Sequence, residues 1–112
     1  MARLNYLELP SGDIARARRF YASVFAFDFT DFGPTYAATT TGDTDIGLQA
    51  DPAEKTAASL PVIEVDDLEA AREAVIAAGG TISREIFAFP GGRRFHFLDP
   101  DGHELAAVRS EA

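Results

Sequence analysis

An internal repeat constrains this chain more than any other feature. Around Gly12-Asp13-Ile14, and again around Asp66-Asp67-Leu68, a short apolar strand gives way to a helix start. At the same offset from each, Phe25-Ala26-Phe27 lines up with Gly79-Gly80-Thr81, where the helical pattern stops and extended chain resumes. In the first copy, residues 4–9 alternate as a strand, with Leu7 and Leu9 on one face and Tyr6 and Glu8 on the other. Asp13 reads as a helix N-cap or first-turn acid. Ile14, Ala17, Phe20, Tyr21, Val24 and Phe25 then recur at helical spacing opposite Arg16, Arg18 and Arg19, which predicts a helix with Phe20, Tyr21 and Phe25 in the core. Residues 27–29, 36–41 and 46–49 read as strands separated by turns at Gly33-Pro34 and Gly42-Asp43. The second copy repeats this order. A strand over 60–65 precedes a helix with Leu68, Ala71, Val75 and Ala78 on one face, and strands follow over 81–86, 94–98 and 103–108. Gly91-Gly92 and Asp99-Pro100-Asp101-Gly102 supply its turns.

The pattern predicts an α+β protein of two βαβββ units, about 1–50 and 59–112, joined by a linker over about 51–58. One helix covers one face of each small sheet. Two such sheets placed edge to edge form a curved, half-barrel-like sheet whose concave cleft is where a ligand would sit. With 112 residues the chain has the length of a single domain, and 46% hydrophobic with 25% charged residues is ordinary globular composition. It contains no cysteine, which excludes disulfides, thiolate catalysis and Cys-based zinc or iron–sulfur sites. A net charge of −8 argues against nucleic-acid backbone binding and against docking on anionic membrane. No apolar run reaches transmembrane length and no secretory leader pattern opens the sequence, so a cytoplasmic location is expected.

Three segments carry a resemblance to a known family. Residues 9–25, LPSGDIARARRFYASVF, and residues 65–80, which begin Val65-Asp66-Asp67-Leu68 and end Gly79-Gly80, resemble the openings of the two units of the vicinal oxygen chelate superfamily. Residues 87–106, which contain Asp99-Pro100-Asp101-Gly102, are similar to its final strands. This superfamily includes glyoxalase I, extradiol dioxygenases and the bleomycin- and fosfomycin-resistance proteins. The resemblance implies a divalent metal held by His, Glu or Gln at one position on each of four strands. Those positions fall here on Tyr6, Gly47, Leu60 and Ala106. Three have no donor side chain and Tyr is only an occasional ligand, so neither a metal nor another cofactor is expected.

Other residues can still carry chemistry. Glu104 shares a strand face with Ala106, and Glu8 shares one with Tyr6, so both carboxylates can enter the cleft or sit at its solvated rim. His96 alternates with Arg94 and Leu98; it can line the cleft as a hydrogen-bond donor or pack against a neighbouring strand. Arg93 and Arg94 can hold an anionic ligand or simply solubilise a hairpin. Phe27, Phe29, Phe32, Tyr36, Phe87 and Phe89 cluster at strand ends and loops, where some rings would line a pocket or a subunit contact. The candidate ligand-binding set is therefore Tyr6, Glu8, Tyr36, Gln49, Arg94, His96 and Glu104, and the candidate catalytic set is Glu8, Glu104 and His96. The leading expectation is a small-molecule-binding protein of the bleomycin-resistance type that has lost its metal site. The alternative is a lyase or isomerase whose cleft acids transfer protons, with or without a weakly bound metal. The resemblance also implies a homodimer.

Overall fold

The computed structural model describes residues 1–111. Ten elements follow in order: β1 (Arg3–Pro10), α1 (Ile14–Phe25), β2 (Phe29–Asp31), β3 (Tyr36–Thr39), β4 (Asp45–Gln49), β5 (Leu60–Glu64), α2 (Leu68–Ala77), β6 (Thr81–Phe89), β7 (Gly92–Leu98) and β8 (Glu104–Ser110). The α+β class and the repeated βαβββ order are those the sequence predicts. The chain divides into two compact units, Tyr6–Leu60 and a second formed by Met1–Asn5 with the residues from Pro61 onward.

In the N-terminal unit the strand order is β2-β3-β4-β1. β1 runs parallel to β4, with Glu8 opposite Gly47, while β3 pairs antiparallel with both β2 and β4. Asp13 caps α1 by accepting from the Arg16 backbone N–H at 3.1 Å. The helix ends on Ala26, which adopts a left-handed φ of 59° without being glycine. Ile14, Ala17 and Tyr21 pack on Phe29, Ala37 and Leu48, and each fully buried large apolar side chain contributes about 1.5–3 kcal/mol. This seam is narrower than the sequence predicts. Phe20 and Phe25 are 57% and 59% exposed, not core. Phe20 points about 90° away from the seam, and Phe25, at the helix end, packs instead on Phe27 with ring centroids 5.5 Å apart. Phe27 stays in the turn after the helix, so β2 begins only at Phe29, and Phe29 is a core residue rather than a strand-end ring. Asp45 organises the β3–β4 turn. Its Oδ1 accepts from Thr39 Oγ1, Thr41 Oγ1 and Thr41 N, each at 2.8 Å.

In the C-terminal unit the order is β5-β8-β7-β6. β5 runs parallel to β8, and β7 pairs antiparallel with β8 and β6. Asp67 caps α2 through the Ala70 backbone N–H at 3.0 Å. Gly79 then takes a φ of +94°, which stops the helix without the penalty a Cβ would bring. Leu68, Phe95 and Ala107 form the core, flanked by Val65, Ala71, Val75, Ile82, Ile86 and Phe97. The β6–β7 register shifts twice, between Ile82 and Arg84 and between Arg84 and Phe87. Such bulges re-aim the side chains they carry.

Candidate functional site

Strand alternation sorts the site residues. In β1 and β4 of the N-terminal unit, Leu9, Ile46 and Leu48 face α1, so Tyr6, Glu8, Gly47 and Gln49 lie on the opposite face. Tyr36, on β3, pairs with Gln49. Both tyrosine rings converge over Gly47, where a Cβ would lie 2.1 Å from Tyr6 Oη and 2.3 Å from Tyr36 Oη. The two hydroxyls hydrogen-bond to each other. Tyr36 Oη also donates to Glu8 Oε1 at 3.1 Å. Burial raises the Tyr36 pKa above the ordinary 10.0, and the neighbouring Tyr6 and Glu8 reinforce the shift, so this phenol stays protonated. Glu8 is 2% exposed. A rim position for it, weighed from the sequence, is thereby corrected: a carboxylate tolerates burial when a donor accompanies it. Gln49 is also buried, but its Oε1 accepts from the Asp51 backbone N–H at 3.0 Å and so serves the turn after β4.

In the C-terminal unit, Phe95 and Phe97 face α2, which places Arg94, His96 and Leu98 on the other face of β7. His96 is 2% exposed and sits opposite Ala106 on β8 and Arg84 on β6. Its Nδ1 lies 3.1 Å from Glu104 Oε2, and that same oxygen accepts from Ser83 Oγ at 3.1 Å. A carboxylate can only accept, so Nδ1 carries the proton and Nε2 presents a lone pair. Nε2 is buried and has no hydrogen-bond partner among the described residues. An unsatisfied buried acceptor of this kind costs about 1–3 kcal/mol. Burial lowers the His96 pKa below the usual histidine value. The Glu104 hydrogen bond opposes this, and the positive charges of Arg94 and Arg84 add to the lowering. The imidazole is therefore neutral and polarised. Phe87 stands beside it with centroids 5.9 Å apart, and the Arg84 guanidinium lies 3.7 Å above the Phe87 ring. Arg93 and Arg94 part company. Arg93 Nη1 binds Glu69 at 2.7 Å and its Nε binds Glu111 at 3.2 Å, whereas Arg94 approaches the rings of Phe87 and Phe89.

The predicted set thus forms two clusters, Tyr6–Glu8–Tyr36 around Gly47 in one unit and His96–Glu104 in the other. Sequence reasoning missed Ser83 and Arg84, because the bulges in β6 break the alternation that would have put them beside His96. The four positions where the resemblance places metal ligands do not fit a divalent ion. Leu60 and Ala106 are fully buried and offer no donor, and Gly47 is overlain by two phenols. Asp99, Asp101 and His103 bring three potential ligand atoms within 4.8 Å of one another. Asp99 Oδ1, however, accepts from the Asp101 and His103 backbone N–H groups at 2.9 Å each, which is turn-forming work on an exposed loop. An open groove of about 310 Å³ beside Ala26, Phe27 and Thr39–Thr41 contains none of the predicted site residues. No helix among the described residues is long and apolar enough to cross a membrane.

No curated protein matches the sequence. Solved structures do. Methylmalonyl-CoA epimerase from Mycobacterium tuberculosis is similar over 97% of this chain and 88% of its own, with a TM-score of 0.79 and 15% identity. A glyoxalase/bleomycin resistance protein/dioxygenase superfamily member from Vibrio splendidus is similar over 98% of this chain and all (100%) of its own, with a TM-score of 0.73 and 18% identity. The Mn(II)-bound glyoxalase from Novosphingobium aromaticivorans has a TM-score of 0.70 and 21% identity, over 97% of this chain but 40% of that longer protein. At such identities the likeness establishes the fold. A family model described as Glyoxalase/Bleomycin resistance protein/Dioxygenase superfamily matches residues 3–107, nearly the whole chain, and this protein belongs to that superfamily.

Proposed function

We propose that this protein binds a small organic molecule and does so without a resident divalent metal. The observation that carries this reading is Gly47. Where the resemblance implies an acidic ligand, the chain has no side chain at all, and the hydroxyls of Tyr6 and Tyr36 occupy the space a Cβ would need. The polar contacts that remain, Tyr36 donating to Glu8 and His96 donating to Glu104, suit hydrogen-bonded recognition better than coordination of a hard cation. The resemblance to resistance proteins that sequester a drug unaltered supports the same reading. A second reading, a lyase or isomerase, rests on the carboxylate-oriented imidazole of His96, which has the form of a general base. The resemblance implies a homodimer, and the exposed Phe20, Val24 and Phe25 of α1 support one.

Two measurements on the purified chain test this. A thermal-shift screen of neutral and anionic aromatic compounds should find binders, since a ligand at 100 times its Kd adds about 2.7 kcal/mol of stability. Calorimetric titration with Mn²⁺, Ni²⁺ and Zn²⁺ should show no stoichiometric uptake. Tight one-to-one metal binding, or a screen in which no compound shifts the melting point, overturns the proposal. Deuterium uptake from D₂O into a recovered ligand would favour the enzymatic reading.

A further inference from the structure

The least explained polar atom in the described chain is Nε2 of His96. The imidazole sits on β7 between β6 and β8, 2% exposed, with Nδ1 fixed by Glu104 and Glu104 in turn fixed by Ser83. Glu104 thus holds one side of the ring in place, while Nε2 on the other side has no hydrogen-bond partner among the described residues. Proteins rarely leave a buried acceptor unpaired without a use for it. An unused histidine in a sheet would be satisfied at both nitrogens or replaced by an apolar residue.

The surroundings limit what can approach Nε2. Phe87 flanks the ring, and Phe89 follows two residues later on the same strand. Arg84 and Arg94 place two positive charges around the imidazole against the single negative charge of Glu104, a balance that disfavours a cationic ligand there. The two register shifts of β6 fall on either side of Arg84, directly opposite His96. β6 is also the last strand in its unit's order, with one neighbour only. To reach Nε2 a ligand would have to move the Phe87 ring and the Arg84 guanidinium stacked on it, both side chains of that edge strand.

We propose that His96 is a specificity-determining acceptor: its Nε2 lone pair takes a hydrogen bond from an O–H or N–H of the ligand, which selects small aromatic compounds that carry such a donor and no positive charge. This rests on the small-molecule reading above and names its ligand class. Ser83 and Glu104 act as positioning residues, holding the ring in the tautomer that presents an acceptor. A site built around an acceptor discriminates strongly against an isostere that cannot donate, because the acceptor is then left unpaired.

The test uses the intact chain and a matched pair of probes, 4-hydroxybenzoate and 4-methoxybenzoate, which differ in the donor hydrogen. Nitrogen-15 spectra of the free protein should show His96 protonated at Nδ1 and bare at Nε2. Adding the hydroxy probe should move the Nε2 resonance towards the hydrogen-bonded position, and the methoxy probe should not. Affinity for the hydroxy compound should exceed that for the methoxy compound by about tenfold or more. In His96→Phe the two affinities should converge; the spectra of the unsubstituted protein decide the matter if that variant fails to fold. The opposite tautomer in the free protein, or equal affinities for the two probes, overturns this inference and leaves the small-molecule reading standing. The inference also falls if only donor-free aromatics bind. If no aromatic compound binds at all, both readings fall together.

Discussion

Replacing Gly47 by alanine tests how tightly the two phenols close over β4. The added Cβ would lie 2.1 Å from Tyr6 Oη, 2.3 Å from Tyr36 Oη and 2.8 Å from Tyr6 Cζ, against 3.4 Å or more for ordinary contact. The hydroxyls must therefore retreat by about 1 Å, and both terminate rigid rings. Tyr36 is tied to the buried Glu8 carboxylate at 3.1 Å, so retreat weakens a hydrogen bond to a charged group, worth about 1.5–3 kcal/mol. Overpacking adds about 1–3 kcal/mol. The sum, about 2.5–6 kcal/mol, is a large part of the 5–15 kcal/mol typical of a folded domain and should lower Tm by about 10 °C or more. Scanning calorimetry of wild type and Gly47→Ala measures it. The companion is the same substitution in a Tyr6→Phe/Tyr36→Phe background, where the two closest oxygens are gone and the penalty should fall below about 2 kcal/mol. A Gly47→Ala protein within about 0.5 kcal/mol of wild type would refute the packing described for this site.

Three further outcomes are expected. Because the Tyr36 pKa is raised in the folded state, its contribution to stability is complete below the ordinary value of 10.0 and declines as pH rises above it; urea midpoints at alkaline pH should show this slope, and Tyr36→Phe should lack it. His96 has the opposite sign: its folded pKa is depressed, so stability is complete above the ordinary 6.5 and falls as pH drops, a trend that urea titrations from about pH 7.5 to about pH 5 should reveal and His96→Gln should flatten. Phe95→Ala should cost about 3–5 kcal/mol whereas Phe20→Ser should stay within about 0.5 kcal/mol, a contrast that chemical denaturation of the two variants measures directly.

The repeat was legible because its punctuation is local. Asp13 and Asp67 bond to backbone three residues ahead, and Gly79 answers a backbone need that only its own φ creates. The extent of burial was not legible. The periodicity of α1 names an apolar stripe but not how much sheet lies beneath it, so Phe20 and Phe25 read as core and are not. Glu8 read equally well as rim or cleft, since its donor, Tyr36, lies 28 residues away in sequence. The pairing of His96 with Glu104 follows from alternation across a tight turn, but the support of Ser83 depends on bulges that no periodicity announces.

The parallel pairings have a kinetic consequence. Tyr6 meets Asp45 and Val62 meets Ala106, so in each unit the opening strand finds its mate only about 40 residues later. Neither unit can close its sheet by zipping successive hairpins. Each must pay a long loop closure at the end, after β2–β3–β4 or β6–β7–β8 has assembled as a meander. Refolding should accordingly be set by that late docking of β1 and β5, on the millisecond-to-second scale of topologically distant contacts, and during synthesis β1 waits for β4 to emerge.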